Sequence, residues 1–430
     1  MRGNMKNKTT PIGAITIPGT DIHYAPAIKA GHWVFLTGIE AADYGRGLHD
    51  TVRGNPEFPL HGLPKHRREG DFICARLSAL LKEAGTSFAN TVRLDQYYPT
   101  WKAVDPYHLA RRAAFGDYIP PSTSIIMEEL LTGGADITTS VLAVVPGDGR
   151  EPKRVPTPKV TAPVWSGFVP AVTSGDFIFV AGQMARGADG NADPRAHVPP
   201  HSLWGGYEIR RQTEYLVREK FVPALEAAGS SLRNAVKAQV YLRHMEDLPH
   251  FLDVWESHFG ARQCALTIVP GKDFGLVPGN IEINLVALTD NAGANKRVID
   301  GCIPREMSFG AAAVRAGDLL FCSGLTAVDA AGAIAAVKHR QLEHLGVPAR
   351  AQMQHIVDAL KAVCAAGGTS LENVVRVHQF HTDLGEFYPM HRAWQEALGG
   401  APVPFTAVGV HADLPVPSCS VVVDPWFYAP

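Results

Sequence analysis

The sequence predicts an α+β fold written three times along one chain, each copy running strand–strand–helix–strand–helix–strand–strand. Three observations predict it. The first is a strand motif. Ala30-Gly31-His32-Trp33-Val34-Phe35-Leu36-Thr37-Gly38 returns as Ser174-Gly175-Asp176-Phe177-Ile178-Phe179-Val180-Ala181-Gly182, and again as Ala316-Gly317-Asp318-Leu319-Leu320-Phe321-Cys322-Ser323-Gly324. The second is a turn motif: Gly85-Thr86-Ser87 leading to Asn90, Gly229-Ser230-Ser231 leading to Asn234, and Thr369-Ser370 leading to Asn373. Copies one and two of both motifs stand the same 144 residues apart. So long a period is a small domain rather than a solenoid repeat. The third observation is a pair of polar, breaker-rich joins at 146–153 and 290–296, composed like exposed connectors. They divide the chain into 10–149, 155–292 and 298–430.

Each element follows from local pattern. A strand ends in a Gly-His or Gly-Asp turn, and an apolar strand follows at 33–36, 177–180 and 319–322. In copy two, Leu216, Val217, Phe221 and Leu225 recur at helical spacing and predict a helix over 215–228. The Gly-Ser-Ser segment stops it. A strand is predicted at 236–242, with counterparts at 92–98 and 374–380. A second helix over 248–259 and closing strands at 264–269 and 281–288 complete the copy. Helices on one sheet face leave the other face bare, and it must be covered. Three linked copies can cover it in one chain. The expectation is therefore an intramolecular pseudo-trimer with clefts between neighbouring copies.

Composition narrows the function classes. Apolar residues make up 46% and charged residues 19%, ordinary for a globular protein. A net charge of −2 offers no electrostatic footprint for nucleic acid or an anionic membrane. No apolar run approaches a membrane span. Residues 1–20 lack the apolar core of a signal peptide and read as a frayed arm. The six cysteines have no paired spacing, as expected of reduced thiols in a cytoplasmic protein.

Copy two contains Ala261-Arg262-Gln263-Cys264-Ala265-Leu266-Thr267-Ile268-Val269-Pro270 and then Ile281-Glu282-Ile283, with Ser166-Gly167-Phe168 and Ala181-Gly182-Gln183 flanking its first strands. This pattern resembles the Rid family, the YjgF-type enamine and imine deaminases. The resemblance implies chorismate-mutase-like domains, trimeric packing and active sites between subunits. It implies a cofactor-free, metal-free hydrolase that adds water to a small 2-imino or 2-enamino acid, releasing ammonia and a 2-keto acid. An imine beside a carboxylate is already electrophilic, so the enzyme must hold the anion and direct one water. An arginine fork suits the carboxylate, and a glutamate suits proton transfer.

Carried over residue by residue, the resemblance makes Arg262 the carboxylate clamp and Glu282 the water-positioning acid/base, with Cys264 in the pocket wall. Phe168 stands where the family has a tyrosine; copy one keeps Tyr24 there. Before the glycine of the first strand, Thr37 and Ser323 supply hydroxyls where copy two has Ala181, and Gly38 and Gly182 are the glycines themselves. Copies one and three depart at the arginine, with Ser122 and Phe405, and at the glutamate, with about Thr138 and Ser420. The expectation is one composite site in which Arg262, Cys264 and Glu282 face Tyr24 and Thr37 of copy one or, alternatively, Ser323 of copy three.

The resemblance leaves two competitors. A chorismatase-like enzyme on the same scaffold would take a cyclic enol ether and gather several basic residues in one cleft. A binding protein would retain a ligand without turning it over. The 18 histidines show no metal-ligand spacing. Insertions at 48–68, with His49, His61 and His66, and at 189–211, with Arg195, His197, His201, Trp204 and Tyr207, are candidate pocket-shaping loops or interface filler. The partner expected is a small carboxylate substrate, with no nucleic acid and no membrane. Self-association beyond the internal threefold stays open.

Overall fold

The computed structural model describes residues 9–55, 57–58, 62–160, 166–202, 206–334 and 347–430. His61, Trp204, His339 and His344 lie outside them. Three large sheets carry most of the chain, and their strands follow one plan. In the first, Trp33–Ile39 and Thr91–Tyr98 flank Thr138–Val144, and Ser122–Ile126 runs parallel to Thr91–Tyr98. The second repeats this with Phe177–Gln183, Ala235–Leu242, Ile281–Leu288 and Ala265–Pro270. The third repeats it with Leu319–Cys322, Val374–His381, Val421–Tyr428 and Phe405–Gly409. The parallel pair in each sheet is made possible by a helical crossover.

Every residue of Thr91–Tyr98, Ala235–Leu242 and Val374–His381 is buried. A strand buried along its whole length is covered on both faces. Helix pairs cover the outer faces: Lys65–Glu83 with Val104–Phe115, Glu208–Tyr215 with Leu248–Phe259, and Pro348–Gly367 with Phe387–Ala397. The inner faces cover one another. Tyr97, Tyr241 and Phe380 occupy the same position in their three strands. Their rings meet pairwise, with centroids 6.2, 6.0 and 6.4 Å apart. Two residues before Asp95, Gln239 and His378, each strand buries a cation. Arg93 bonds Asp95 and Gln239, Arg376 bonds Asp95 and His378, and Lys237 lies 2.9 Å from Asp424. A buried charge is tolerated only when paired in this way.

The structure corrects several boundaries. The helix expected over 215–228 begins at Glu208, so the end of the 189–211 insertion is helical. The strand expected from Cys264 begins at Ala265. Thr9–Ile12, read as part of a frayed arm, pairs with Ala27–Ala30. The joins also contribute edge strands, Lys153–Arg154 and Lys296–Ile299. An unpaired sheet edge gains hydrogen bonds from any neighbouring extended chain, which draws these polar segments into the sheets. All six cysteines are free thiols. Among the described residues no helix is long and apolar enough to cross a membrane.

Candidate functional site

Three clefts follow from one rule. The parallel-paired outer strand of each repeat lies across the first long strand of the next sheet: Ser122–Ile126 against Phe177–Gln183, Ala265–Pro270 against Leu319–Cys322, and Phe405–Gly409, itself flanked by the short strand Glu129–Leu130, against Trp33–Ile39. Equivalent polar contacts stitch two of these crossings. Asn284 Nδ2 donates to Thr123 Oγ1 at 3.0 Å, and Ser140 Oγ lies 2.8 Å from Thr406 Oγ1.

Strand register decides which residues are equivalent. Ser122 pairs with Leu94, Leu266 with Ala238 and Phe405 with Val377, and these three partners share one repeat position. Leu266, not Arg262, therefore stands in copy two where Ser122 and Phe405 stand in the others. Arg262 precedes the strand in a turn, at φ 53°. Its Nε and Nη2 each bond the Asp300 carboxylate at 2.7 Å, and Nη1 donates to Ser308 O at 2.8 Å. Register also moves the third glutamate position from Ser420 to Val422, which pairs with Phe380 as Glu282 pairs with Tyr241. Thr138, paired with Tyr97, holds it in the first copy.

The expected single composite site is thus divided among three clefts. The cleft between the second and third sheets holds Cys264 and Ser323, and there the backbones close it. Gly310 stands at the tyrosine position, and a Cβ on it would come within 2.7 Å of Leu266. Ser323 Oγ accepts the Leu266 N–H at 2.8 Å and donates to Ala311 O. The Cys264 thiol is pushed up to about 12 by burial, which keeps it inert at neutral pH.

The cleft between the third and first sheets holds Tyr24, Thr37 and Gly38. The Tyr24 ring packs 4.7 Å from Phe405, and its hydroxyl donates to Thr37 O. Gly38 has no room for a side chain against the Phe405 carbonyl. A small cavity of about 210 Å³ remains beside Glu40 and Tyr44.

The cleft between the first and second sheets is open and holds Glu282, Phe168 and Gly182 on the wall of a cavity of about 410 Å³. Glu282 is 3% exposed. Its carboxyl is pushed up to about 8, chiefly by desolvation, against the pull of the Arg186 charge and the Ser124 backbone hydrogen bond. Among the described residues Oε2 is buried without a hydrogen-bond partner. Gly182 is required here, because a Cβ would collide with Glu282 Oε1 and approach Thr123 Oγ1. Across the cleft stand Ser122, Ser124 and His108. His108 is held far below its usual range by burial and by Arg111 and Arg112, so it is neutral. Arg111, fully buried behind Ser122, donates to Gln96 Oε1 at 2.8 Å and to Ser166 O at 2.6 Å. Its Nη1 also reaches Ser122 Oγ at 3.4 Å, while its Nε has no partner among the described residues.

Sequence reasoning did not single out Arg111, Arg186 or Lys220. Arg186 and Lys220 lie on the cavity wall from the loop after the first strand of copy two and from its first helix. No local motif marks them, because only the crossing of two sheets brings them to Glu282's cleft. Of the insertion residues, His197 bonds Glu208, His66 bonds Asp136 and Tyr207 stacks on His250 at 3.5 Å. Those contacts anchor the insertions to their own domains. Among the described residues no three His, Cys, Asp or Glu gather as a metal site.

This fold, mixed sheets with a parallel strand pair and helices on one face, defines a class of small α+β proteins. The chain belongs to the YjgF/Rid family described as Endoribonuclease L-PSP, whose profile matches residues 160–289 and 305–422, more than half of its length. A RutC family protein of Pyrococcus horikoshii is 30% identical over 118 residues, 27% of this chain and 82% of that protein. Protein DfrA of Myxococcus xanthus is 33% identical over 99 residues, 23% of this chain and 69% of that protein. Among solved structures, RidA from an Antarctic Psychrobacter is 22% identical, covering 32% of this chain and 98% of that one, with a TM-score of 0.27. A Thermotoga maritima protein titled a putative endoribonuclease is 25% identical, covering 32% and 96%, with a TM-score of 0.26.

Proposed function

We propose that the chain is an intramolecular pseudo-trimer of three Rid-type domains, 10–149, 155–292 and 298–430, with one working cleft between the first two. In that cleft it acts as a cofactor-free hydrolase on the C–N linkage of a small carboxylate-bearing imine, enamine or related substrate. The observation that carries this reading is Glu282: a buried carboxyl with an oxygen unpartnered among the described residues, on the wall of the largest of the three clefts. Raised to about 8, it is protonated at neutral pH and serves as a proton donor rather than a base. Water adds to the imine carbon as Glu282 protonates the nitrogen, and the added water gives a proton back to Glu282 to leave a neutral carbinolamine. Glu282 then protonates its amine, the C–N bond breaks with ammonia leaving, and the hydroxyl proton passes to Glu282 as the ketone forms. The Ser124 backbone holds the carboxyl in place, and burial of Glu282 at the cavity wall keeps it away from bulk water.

The family membership supports the reaction class. The test is release of keto acid and ammonia from 2-imino acids generated in situ, comparing wild type with Glu282→Gln. Loss of turnover in a folded variant supports the reading. No turnover in wild type overturns it.

A second reading has one observation in its favour. Arg186 and Lys220 on the wall, with Arg111 behind Ser122, gather the basic residues that a cyclic enol-ether carboxylate would need. Hydrolysis of such an enol ether, assayed by release of its enol as pyruvate, distinguishes it.

A further inference from the structure

The strands that carry the family's arginine position offer Ser122, Leu266 and Phe405, none of which can hold an anion by charge. The open cleft has cations elsewhere. Lys220 is 4% exposed, and among the described residues its ammonium makes no hydrogen bond and no ion pair; the Tyr215 ring faces it at 5.7 Å, and the charges of Asp193, Arg186, Glu219 and Arg195 act on it at longer range. The nearby acids are engaged already. Asp193 bonds Arg195 at 2.8 Å and Tyr215 Oη at 2.9 Å, and Glu219 bonds Arg195 at 3.1 Å. Arg186 gives one hydrogen bond from each Nη to a carbonyl, Gly190 O and Gly275 O, which leaves three of its five N–H groups over, and its charge also lacks an ion-pair partner among the described residues. Both line the cavity that holds Glu282.

The backbone has a specific device that aims Lys220. The helix is α over Glu208–Tyr215, π over Leu216–Phe221 and α again over Val222–Ala227. Val222 N–H bonds Val217 O, one residue further back than in an α-helix. Pro223 explains the break: it has no N–H to give to the carbonyl four residues before it, and its ring crowds that carbonyl. The equivalent helices, Lys65–Glu83 and Pro348–Gly367, are α throughout. A π turn inserts one residue and rotates the side chains that follow. Counted back from the glycine of the turn, Lys220 corresponds to Arg76 and Ala359. Arg76 stands over Tyr44 beside the smaller open cavity, and Ala359 belongs to the copy whose cleft is closed.

We infer that Lys220 and Arg186 form the anion subsite of this cleft, holding the substrate's carboxylate on the helix and loop side rather than on the edge strand. This rests on the hydrolase reading for the word substrate, but not for the binding of an anion. The substrate is therefore reversed relative to a strand-clamped one, with its carboxylate toward Lys220 and its C=N toward Glu282. Lys220 is here a positioning residue, reading the negative charge and not reacting.

The experiment is titration of the full chain with pyruvate and with benzoate by calorimetry, for wild type, Lys220→Met, Lys220→Arg and Glu282→Gln. A buried lysine replaced by methionine of similar length keeps the core filled, and thermal unfolding of each variant checks that the fold is intact. Expected are binding weakened at least tenfold in Lys220→Met, recovery in Lys220→Arg, and little change in Glu282→Gln. In turnover, Lys220→Met raises KM more than it lowers kcat. Equal affinity in wild type and Lys220→Met overturns the inference, as does absence of saturable binding of both anions by wild type. Lys220-dependent binding without imine turnover sinks the hydrolase reading and leaves the subsite standing.

Discussion

Arg262 and Asp300 are joined by two parallel hydrogen bonds of 2.7 Å, in a planar fork that fastens the turn before Ala265–Pro270 to the segment after Lys296–Ile299. The side chain of Arg262 is 11% exposed and also grips the Ser308 carbonyl. The residue that the motif marked as a substrate clamp is spent on the protein itself, on the opposite flank of the middle sheet from the cavity of Glu282.

That relationship sets the first prediction. Arg262→Ala removes charge-assisted bonds and lowers stability by about 1–3 kcal/mol. Turnover in the Glu282 cleft survives it. Chemical denaturation and imine hydrolysis on the same sample check both halves, and loss of turnover without loss of stability would return Arg262 to the site.

Glu282→Gln keeps the volume of the side chain and removes its proton donor. Turnover falls by about 10²–10⁴-fold. In wild type the rate falls as pH rises through about 8, where Glu282 loses its proton. A pH profile that stays flat through this range contradicts the assignment.

The same group carries a stability signature. Its carboxyl is raised from the ordinary 4.5 to about 8 in the fold, so the folded state holds its proton more tightly than the unfolded chain. Its contribution is full below pH 4.5 and declines as pH rises toward 8. Glu40 and Glu69, each pushed up to about 7 by burial, act with the same sign. The diagnostic quantity is therefore the difference between proteins: the Tm of Glu282→Gln declines less steeply over this range than that of wild type.

Gly182→Ala places a methyl where Glu282 Oε1 now sits. Overpacking of this kind costs about 1–3 kcal/mol, and displacement of the carboxyl abolishes most turnover. Tm and kcat measured together test it. Normal kcat would mean that the carboxyl position does not matter.

Tyr24→Phe deletes a hydroxyl that donates to the Thr37 carbonyl in a different cleft. Stability falls by about 1 kcal/mol, and the kinetics of the Glu282 cleft do not change. A rate loss larger than threefold in the Phe variant would link the two clefts.

Much of the fold was legible because repetition and periodicity are local properties. The glycine turns, the apolar strands and the helical spacing each act within a few residues, and they recur in register. The strand that carries Glu282 was legible for the same reason, with isoleucines flanking the glutamate. Arg262 misled because its spacing to Cys264 matches a motif, while the strand that would present it starts only at Ala265. Pairing with Ala235–Leu242 sets that start, and pairing is a relation between distant segments. The third glutamate position shifted from Ser420 to Val422 for the same cause.

The amino-acid sequence by itself determined the family and the α+β elements, because burial pattern, turn chemistry and motif are written along the chain. Tertiary structure decided which residues share a cavity. Each cleft is made by the parallel-paired outer strand of one repeat and the first long strand of the next sheet, so its walls come from different copies. Gly310 and Leu266 close one cleft by backbone approach, Phe405 narrows another, and Ser122 leaves the third open to Glu282. Lys220 reaches that opening through a π turn that Pro223 induces, and no spacing rule in the sequence announces where such a turn will point.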